Sequence, residues 1–203
     1  PPEPALSPPP VAANLEGSAR TSQRDLYLLW SAARETPLTL LNSGLLRLSD
    51  LKRVAGQLLG TETIGKGAKE SDFRRVLFLR QLSTALNLLV YDDVTLAARP
   101  DPPFFRQPAT ERVRLSYERW LAGPWWNELW RAHTPGLTNA PGGPCDPAPS
   151  RIADARRKVV DCLTRLARPT PNAWVAVEDV SRSLQDRDDE LLPGWETSRE
   201  ETR

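Results

Sequence analysis

The 203-residue chain carries 27 basic and 26 acidic side chains, a formal net charge of +1, with 39% hydrophobic residues. That apolar share can fill one large core or two small ones. Near-neutrality excludes a global positive field, so any affinity for nucleic acid must come from local patches.

Residues 1–21 hold six prolines and little periodicity, the composition of a Pro-rich linker with polyproline character. From Ser22 the pattern becomes periodic. Leu26, Leu29, Trp30 and Ala33 in QRDLYLLWSAAR recur at helical spacing, which predicts a first helix. The apolar run 37–41 predicts a short strand, closed by the turn Asn42-Ser43-Gly44. Ser49, a residue type suited to N-capping, opens a second helix with Leu51, Val54, Ala55, Leu58 and Leu59 on one stripe. A loop bearing Lys66 and Lys69 leads into a long helix, ESDFRRVLFLRQLSTALNLL. The runs LLVY and VTLAA, around the turn pair Asp92-Asp93, predict a β-hairpin. Helix, strand, two helices and a hairpin over 22–100 is the element order of a winged helix, which turns its third helix toward a DNA groove.

Between Arg47 and Arg80 stand eight basic residues against four acids, Asp50, Glu62, Glu70 and Asp72. The expected nucleic-acid-binding surface is Lys69, Arg74, Arg80, Gln81 and Thr84, flanked by Arg47, Lys52, Arg53 and Lys66. Backbone N–H groups at the start of the long helix also attract phosphate. The same charges fit a solvated face equally well. The long helix is not a simple amphipath either. Phe78, Leu79, Leu82, Ala85 and Leu86 form one apolar face, while Phe73, Val76 and Leu77 intrude on the polar one. A helix packed on two sides presents less surface to a groove, so a buried scaffold helix stands as the alternative to a reading helix.

Residues 101–131 predict a helical extension. Phe104 and Phe105 in the extended connector RPDPPFFRQP dock on a neighbour, and Thr110 caps a helix that buries Val113, Tyr117 and Trp120. Gly123-Pro124 break it, and PWWNELWRA opens another. The crowding of Trp120, Trp125, Trp126 and Trp130 reads as a plug between helices, with base stacking as the alternative. Residues 132–150, with five prolines and three glycines, predict an exposed loop. Ser150 can cap the next helix, whose Ile152, Ala155, Val159, Cys162, Leu163 and Leu166 form a stripe opposite Arg156, Arg157 and Lys158. A β-rich run from Trp174 to Val177 and a helix with Val180 and Leu184 make 151–192 the front half of a second, truncated winged helix. A tail over 193–203 follows. From Glu178 onward nine acids face four arginines, which disfavours a DNA surface there.

Several of these segments resemble bacterial helicase-associated winged-helix proteins, similar to the N-terminal region of XPB-type helicases. The segments are RDLYLLWSAAR with PLTLLNSGLLRLSDLKRV, FFRQPATERVRLSYERWL with WNEL, and NAWVAVEDVSRSL, together covering about 23–131 and 151–186. The resemblance implies a DNA-associated, non-catalytic module that accompanies a helicase or repair protein, and it brings no catalytic residues.

The expected fold is therefore mostly α with short β-hairpins. The expected function is nucleic-acid binding, with a protein-interaction scaffold as the alternative. No glycine-rich phosphate loop, nucleophile elbow or acidic helicase motif is visible, so no enzyme and no cofactor are expected. Cys145, Cys162 and His133 lack zinc-ligand spacing, and Cys162 reads as a core residue. No apolar run approaches a membrane span and no signal peptide precedes the first helix, so a cytoplasmic setting is expected. Methionine is absent, position 1 included, which suggests a processed chain or a piece of a longer one.

Overall fold

The computed structural model describes residues 19–58, 64–128, 149–168 and 174–187. It is mostly helical, with one small three-stranded antiparallel sheet. The described residues up to Trp126 belong to one compact unit and those from Asn127 onward to another. Residues 1–18 of the Pro-rich segment, 132–148 of the Pro/Gly loop and the tail lie outside the described residues, as do Leu59, Glu62 and Trp130. Residues 19–21 and 149–150, expected as linker and loop, are already helical, so Ser150 lies inside a helix rather than capping it.

The first unit runs helix α1 (Ala19–Glu35), strand β1 (Leu38–Thr39), helix α2 (Leu48–Ala55), a 3-10 turn (Glu70–Asp72), helix α3 (Arg74–Ala85), strands β2 (Leu89–Asp92) and β3 (Thr95–Ala98), the one-turn helix α4 (Pro103–Arg106) and helix α5 (Ala109–Ala122). The sheet order is β1-β3-β2, with Leu38 opposite Leu96 and Leu89 opposite Ala98. The helical periodicity of α1 is realised in burial. Leu26, Leu29, Trp30 and Ala33 join Leu38, Leu51, Val54, Leu79, Leu82, Leu88 and Leu96 in one core. Removing that apolar area from water is the main favourable contribution to folding.

Capping falls differently from the sequence expectation. Ser49 lies inside α2, and Arg47 holds the N-cap position without a side-chain bond. Helix α2 ends at Ala55, so Leu58 is buried beyond it rather than on its stripe. The long third helix is interrupted at Phe73, which separates the 3-10 turn from α3. Helix α3 ends in a left-handed cap. Asn87, at φ +62°, donates its N–H to the Thr84 carbonyl, and Leu88 N–H donates to Ser83. Asparagine tolerates that conformation better than most residues, and the paired bonds satisfy the last carbonyls of the helix. The hairpin turn is Asp93-Val94, one residue later than expected, with Asp93 at φ +52°.

The connector after β3 is not extended throughout, since Pro103 starts the one turn of α4. It docks as expected. Phe104 is buried, and the Phe105 ring packs against Tyr27 and Trp30 with centroids 5.4 and 5.2 Å apart. Trp30 Nε1 donates to the Arg99 carbonyl at 3.0 Å, which ties α1 to the end of β3. Thr110 sits within the first turn of α5, and Pro108 takes the N-cap place. Tyr117 is exposed, while Val113 and Trp120 are only half-buried. No helix starts at Pro124 in the described residues. The chain turns there, and Trp125 Nε1 donates back to the Arg119 carbonyl at 3.2 Å.

In the second unit, helix α6 (Pro149–Ala167) packs on helix α7 (Val177–Gln185). Cys162 is buried with its Sγ 4.0 Å from the Val180 carbonyl, and Arg165 donates to Ser183 Oγ at 3.3 Å. Arg156 does not decorate a solvent face. It is buried and grips the Glu128 carboxylate with two bonds of 2.8 and 2.9 Å. The expected strand at 174–177 is reduced to a single bridge residue, Trp174. Among the described residues no helix is long and apolar enough to cross a membrane.

Candidate nucleic-acid interface

The expected binding residues separate into two groups with opposite environments. Arg80 cannot touch a ligand. Its side chain is 1% exposed and lies against Glu70, which is fully buried. Arg80 Nε donates to Glu70 Oε1 at 2.6 Å and Nη2 to Oε2 at 3.0 Å, with a further bond of 3.1 Å to the Gly44 carbonyl. The Leu46 N–H completes the site by donating to Glu70 Oε2 at 2.8 Å. An arginine held in a bidentate pair inside the protein fastens the 42–46 turn to the start of α3.

Arg53 is also committed to structure. Its guanidinium donates to the carbonyls of Ala32 (2.6 Å) and Thr36 (2.9 Å) and to Asp50 (3.0 Å). Asp50 in turn accepts the Thr39 N–H at 3.0 Å, so Arg53 and Asp50 join α1, β1 and α2. Gln81 is half-buried, and so is Thr84, whose hydroxyl donates to the Arg80 carbonyl at 3.1 Å. The middle of α3 is covered from outside as well. Phe78 meets the rings of Trp125 and Trp126 at 5.9 and 5.1 Å. Trp125 and Trp126 of the four clustered tryptophans therefore lie against α3, while Trp120 meets Tyr117 on its own helix and Trp130 lies outside the described residues.

Five of the expected residues do reach solvent. Arg47, Lys52, Lys66, Lys69 and Arg74 are exposed and have no acidic side-chain partner among the described residues. Two of them are brought to one edge by the bond from Leu46 to Glu70, because Arg47 follows Leu46 and Lys69 precedes Glu70. Gly67, at φ +81°, shapes the loop between Lys66 and Lys69, and Lys69 N–H donates to Asp72 Oδ2 at 2.9 Å. Arg74 begins α3 just beyond. Burial removes the acids from the same neighbourhood, since Asp50 and Glu70 are internal and Asp72 alone is exposed among the described acids of this stretch. Arg75 is neutralised by the buried Asp25. What remains exposed is a set of five cations on the 64–69 loop, on and beside α2 and at the first turn of α3, with Arg47 and Lys69 brought together by the Leu46–Glu70 bond.

The hairpin carries the opposite sign. Asp92 and Asp93 are exposed at its tip, beside exposed Tyr91 and Val94. Among the described residues no group of three His, Cys, Asp or Glu side chains could hold a metal ion. Comparison with protein-family models, with curated proteins and with solved structures finds no match for this chain.

Proposed function

We propose that residues 22–100 form a winged-helix module, followed by a helical extension, that binds the backbone of nucleic acid without catalysis, within a larger helicase-associated or DNA-transaction protein. The element order with its β1-β3-β2 sheet supports the fold assignment. The single observation that carries the function is the set of five exposed, unpaired cations beside internalised acids. Phosphate contacts of that kind position a duplex without reading its sequence. The covered face of α3 argues against base readout by Gln81 or Thr84, so binding should be indifferent to sequence. The segments that resemble helicase-associated proteins supply the reason to expect a helicase or repair protein as companion.

The test is fluorescence anisotropy of the full chain with duplex and single-stranded DNA across a salt series. Each phosphate contact contributes about 0.9 to the slope of log affinity against log salt on a duplex. The triple variant Lys66→Ala, Lys69→Ala, Arg74→Ala should therefore flatten the slope by about 2.7. Binding with an unchanged slope, or none at low salt, rules the surface out.

The scaffold alternative is favoured by two features. Trp125 and Trp126 occupy the outer face of α3, and Tyr91, at 59% exposed, stands on the hairpin with Val94. A partner retained after nuclease treatment, and lost in Tyr91→Ala, would support it.

A further inference from the structure

A groove between α1 and the start of α5, about 610 Å³ in volume, lies apart from the residues considered above. Its wall carries Arg20, Arg24 and Arg112, and none of the three has an ion-pair partner among the described residues. The neighbouring acids are already engaged, Asp25 by Arg75 and Glu111 by Arg114. Two further polar atoms are buried without partners. Gln23 is 9% exposed and leaves Oε1 unsatisfied while its Nε2 donates to Ser116 Oγ at 3.4 Å. Arg112 Nε is likewise buried and unpaired. Orphaned polar groups of this kind cost stability unless something satisfies them. The remaining wall includes the half-exposed Tyr27 and the first turn of α5, where the earliest backbone bond of the helix is Arg112 N–H to Pro108.

We propose that this groove binds a nucleotide unit, a phosphate joined to an aromatic base. Unpaired arginines and the free N–H groups of a helix start are the chemistry that holds phosphate. Tyr27 offers a ring for the base, and Gln23 Oε1 an acceptor for an amino or hydroxyl proton of the ligand. The volume falls in the range of small-molecule sites. The recess on the other side of Tyr27 makes a useful contrast. At about 470 Å³ it is not much smaller, but its charges are spent, with Arg34 over the Trp30 ring and Asp101 paired to Arg106.

The test is calorimetric titration of the full chain with AMP, adenosine, inorganic phosphate and a 5′-phosphorylated single-stranded oligonucleotide. AMP should bind at least tenfold more tightly than adenosine or phosphate alone. Arg24→Gln, at an exposed position that puts no fold at risk, and Arg112→Gln should each weaken AMP at least tenfold, while the Lys66/Lys69/Arg74 triple variant leaves it unchanged. An oligonucleotide that displaces AMP places the unit at the end of a strand, and one that does not leaves a free nucleotide as the ligand. Either result sustains the proposal. Absence of AMP binding, or equal AMP binding in wild type and Arg24→Gln, overturns it.

Discussion

Replacing Arg80 by Met should unfold the first unit far more readily than any surface substitution, and should do so without acting on a binding site. The wild-type pair is almost fully enclosed, with Arg80 at 1% and Glu70 at 0% side-chain exposure. Arg80→Met leaves the Glu70 carboxylate inside with the Leu46 N–H as its only retained partner among the bonds described. Removing one member of a buried pair in this way costs about 3–5 kcal/mol. Glu70→Leu should cost a similar amount, about 3–5 kcal/mol, by stranding the guanidinium. The double variant should not cost the sum. Two apolar side chains can pack together, and the main residual loss is the orphaned Leu46 N–H, about 1–3 kcal/mol. The singles and the double should thus reveal a coupling of about 3 kcal/mol or more, at the upper end for residues in contact. Denaturant titration followed by tryptophan fluorescence measures all four proteins. Additive effects would refute the assignment. So would an Arg80→Met protein of unchanged stability that had lost DNA binding, because Arg80 would then be a ligand contact.

Other consequences follow from local geometry. A Cβ at Gly123 would run into the Arg119 carbonyl and the Trp125 indole, so Gly123→Ala should cost about 1–3 kcal/mol in denaturation and shift tryptophan emission. Asn87→Gly should be neutral or slightly stabilising and Asn87→Val clearly destabilising by thermal melting, because position 87 sits at φ +62°. The Arg114 guanidinium, bonded to Glu111 and Glu118, holds the Glu111 carboxyl below its ordinary value of 4.5. A depressed carboxylate contributes stability above its unfolded value and loses it as pH falls through the folded one. NMR titration should therefore show Glu111 titrating below pH 4.5, and Arg114→Gln should return it toward that value.

Much of the fold was legible in short-range pattern. The spacing of Leu26, Leu29, Trp30 and Ala33 specified a buried helix face, and alternation around Asp92 and Asp93 specified a hairpin to within one residue. Element ends were read less well. Ser49 and Thr110 are good capping types, yet the chain placed both inside a first turn, where Arg47 and Pro108 hold the cap positions. The environments of the expected binding residues were harder still to read, because partner choice is a long-range matter. Nothing local marks Arg80 as the partner of Glu70 ten residues earlier, or Arg156 as that of Glu128. Helical phase was the available clue. The apolar intruders Val76 and Leu77 share the side of α3 on which Arg80 and Ser83 are buried. The groove lined by Arg20, Arg24 and Arg112 was invisible because its two walls are separated by most of the unit's sequence.

The buried pairs also account for the set of exposed cations. Read along the chain, the 47–80 stretch has an excess of four positive charges, too few to distinguish a binding surface from a solvated face. Folding removes charges of both signs, but unevenly in their effect on the surface. Asp50 and Glu70 go inside, Asp50 paired with the half-buried Arg53 and Glu70 with the buried Arg80, Arg75 is cancelled by Asp25 from α1, and Asp72 turns back onto its own loop. The cations left outside have no ion-pair partner among the described residues, and the Leu46-to-Glu70 bond draws Arg47 and Lys69 together. A buried salt bridge is weak evidence for stability, since its desolvation can cost as much as its attraction returns. Here it has a second consequence, because Glu70, once bonded to Arg80, is not available to pair with the exposed cations of the same stretch. Any nucleic acid should accordingly approach from the loop and the start of α3, away from the acidic hairpin tip.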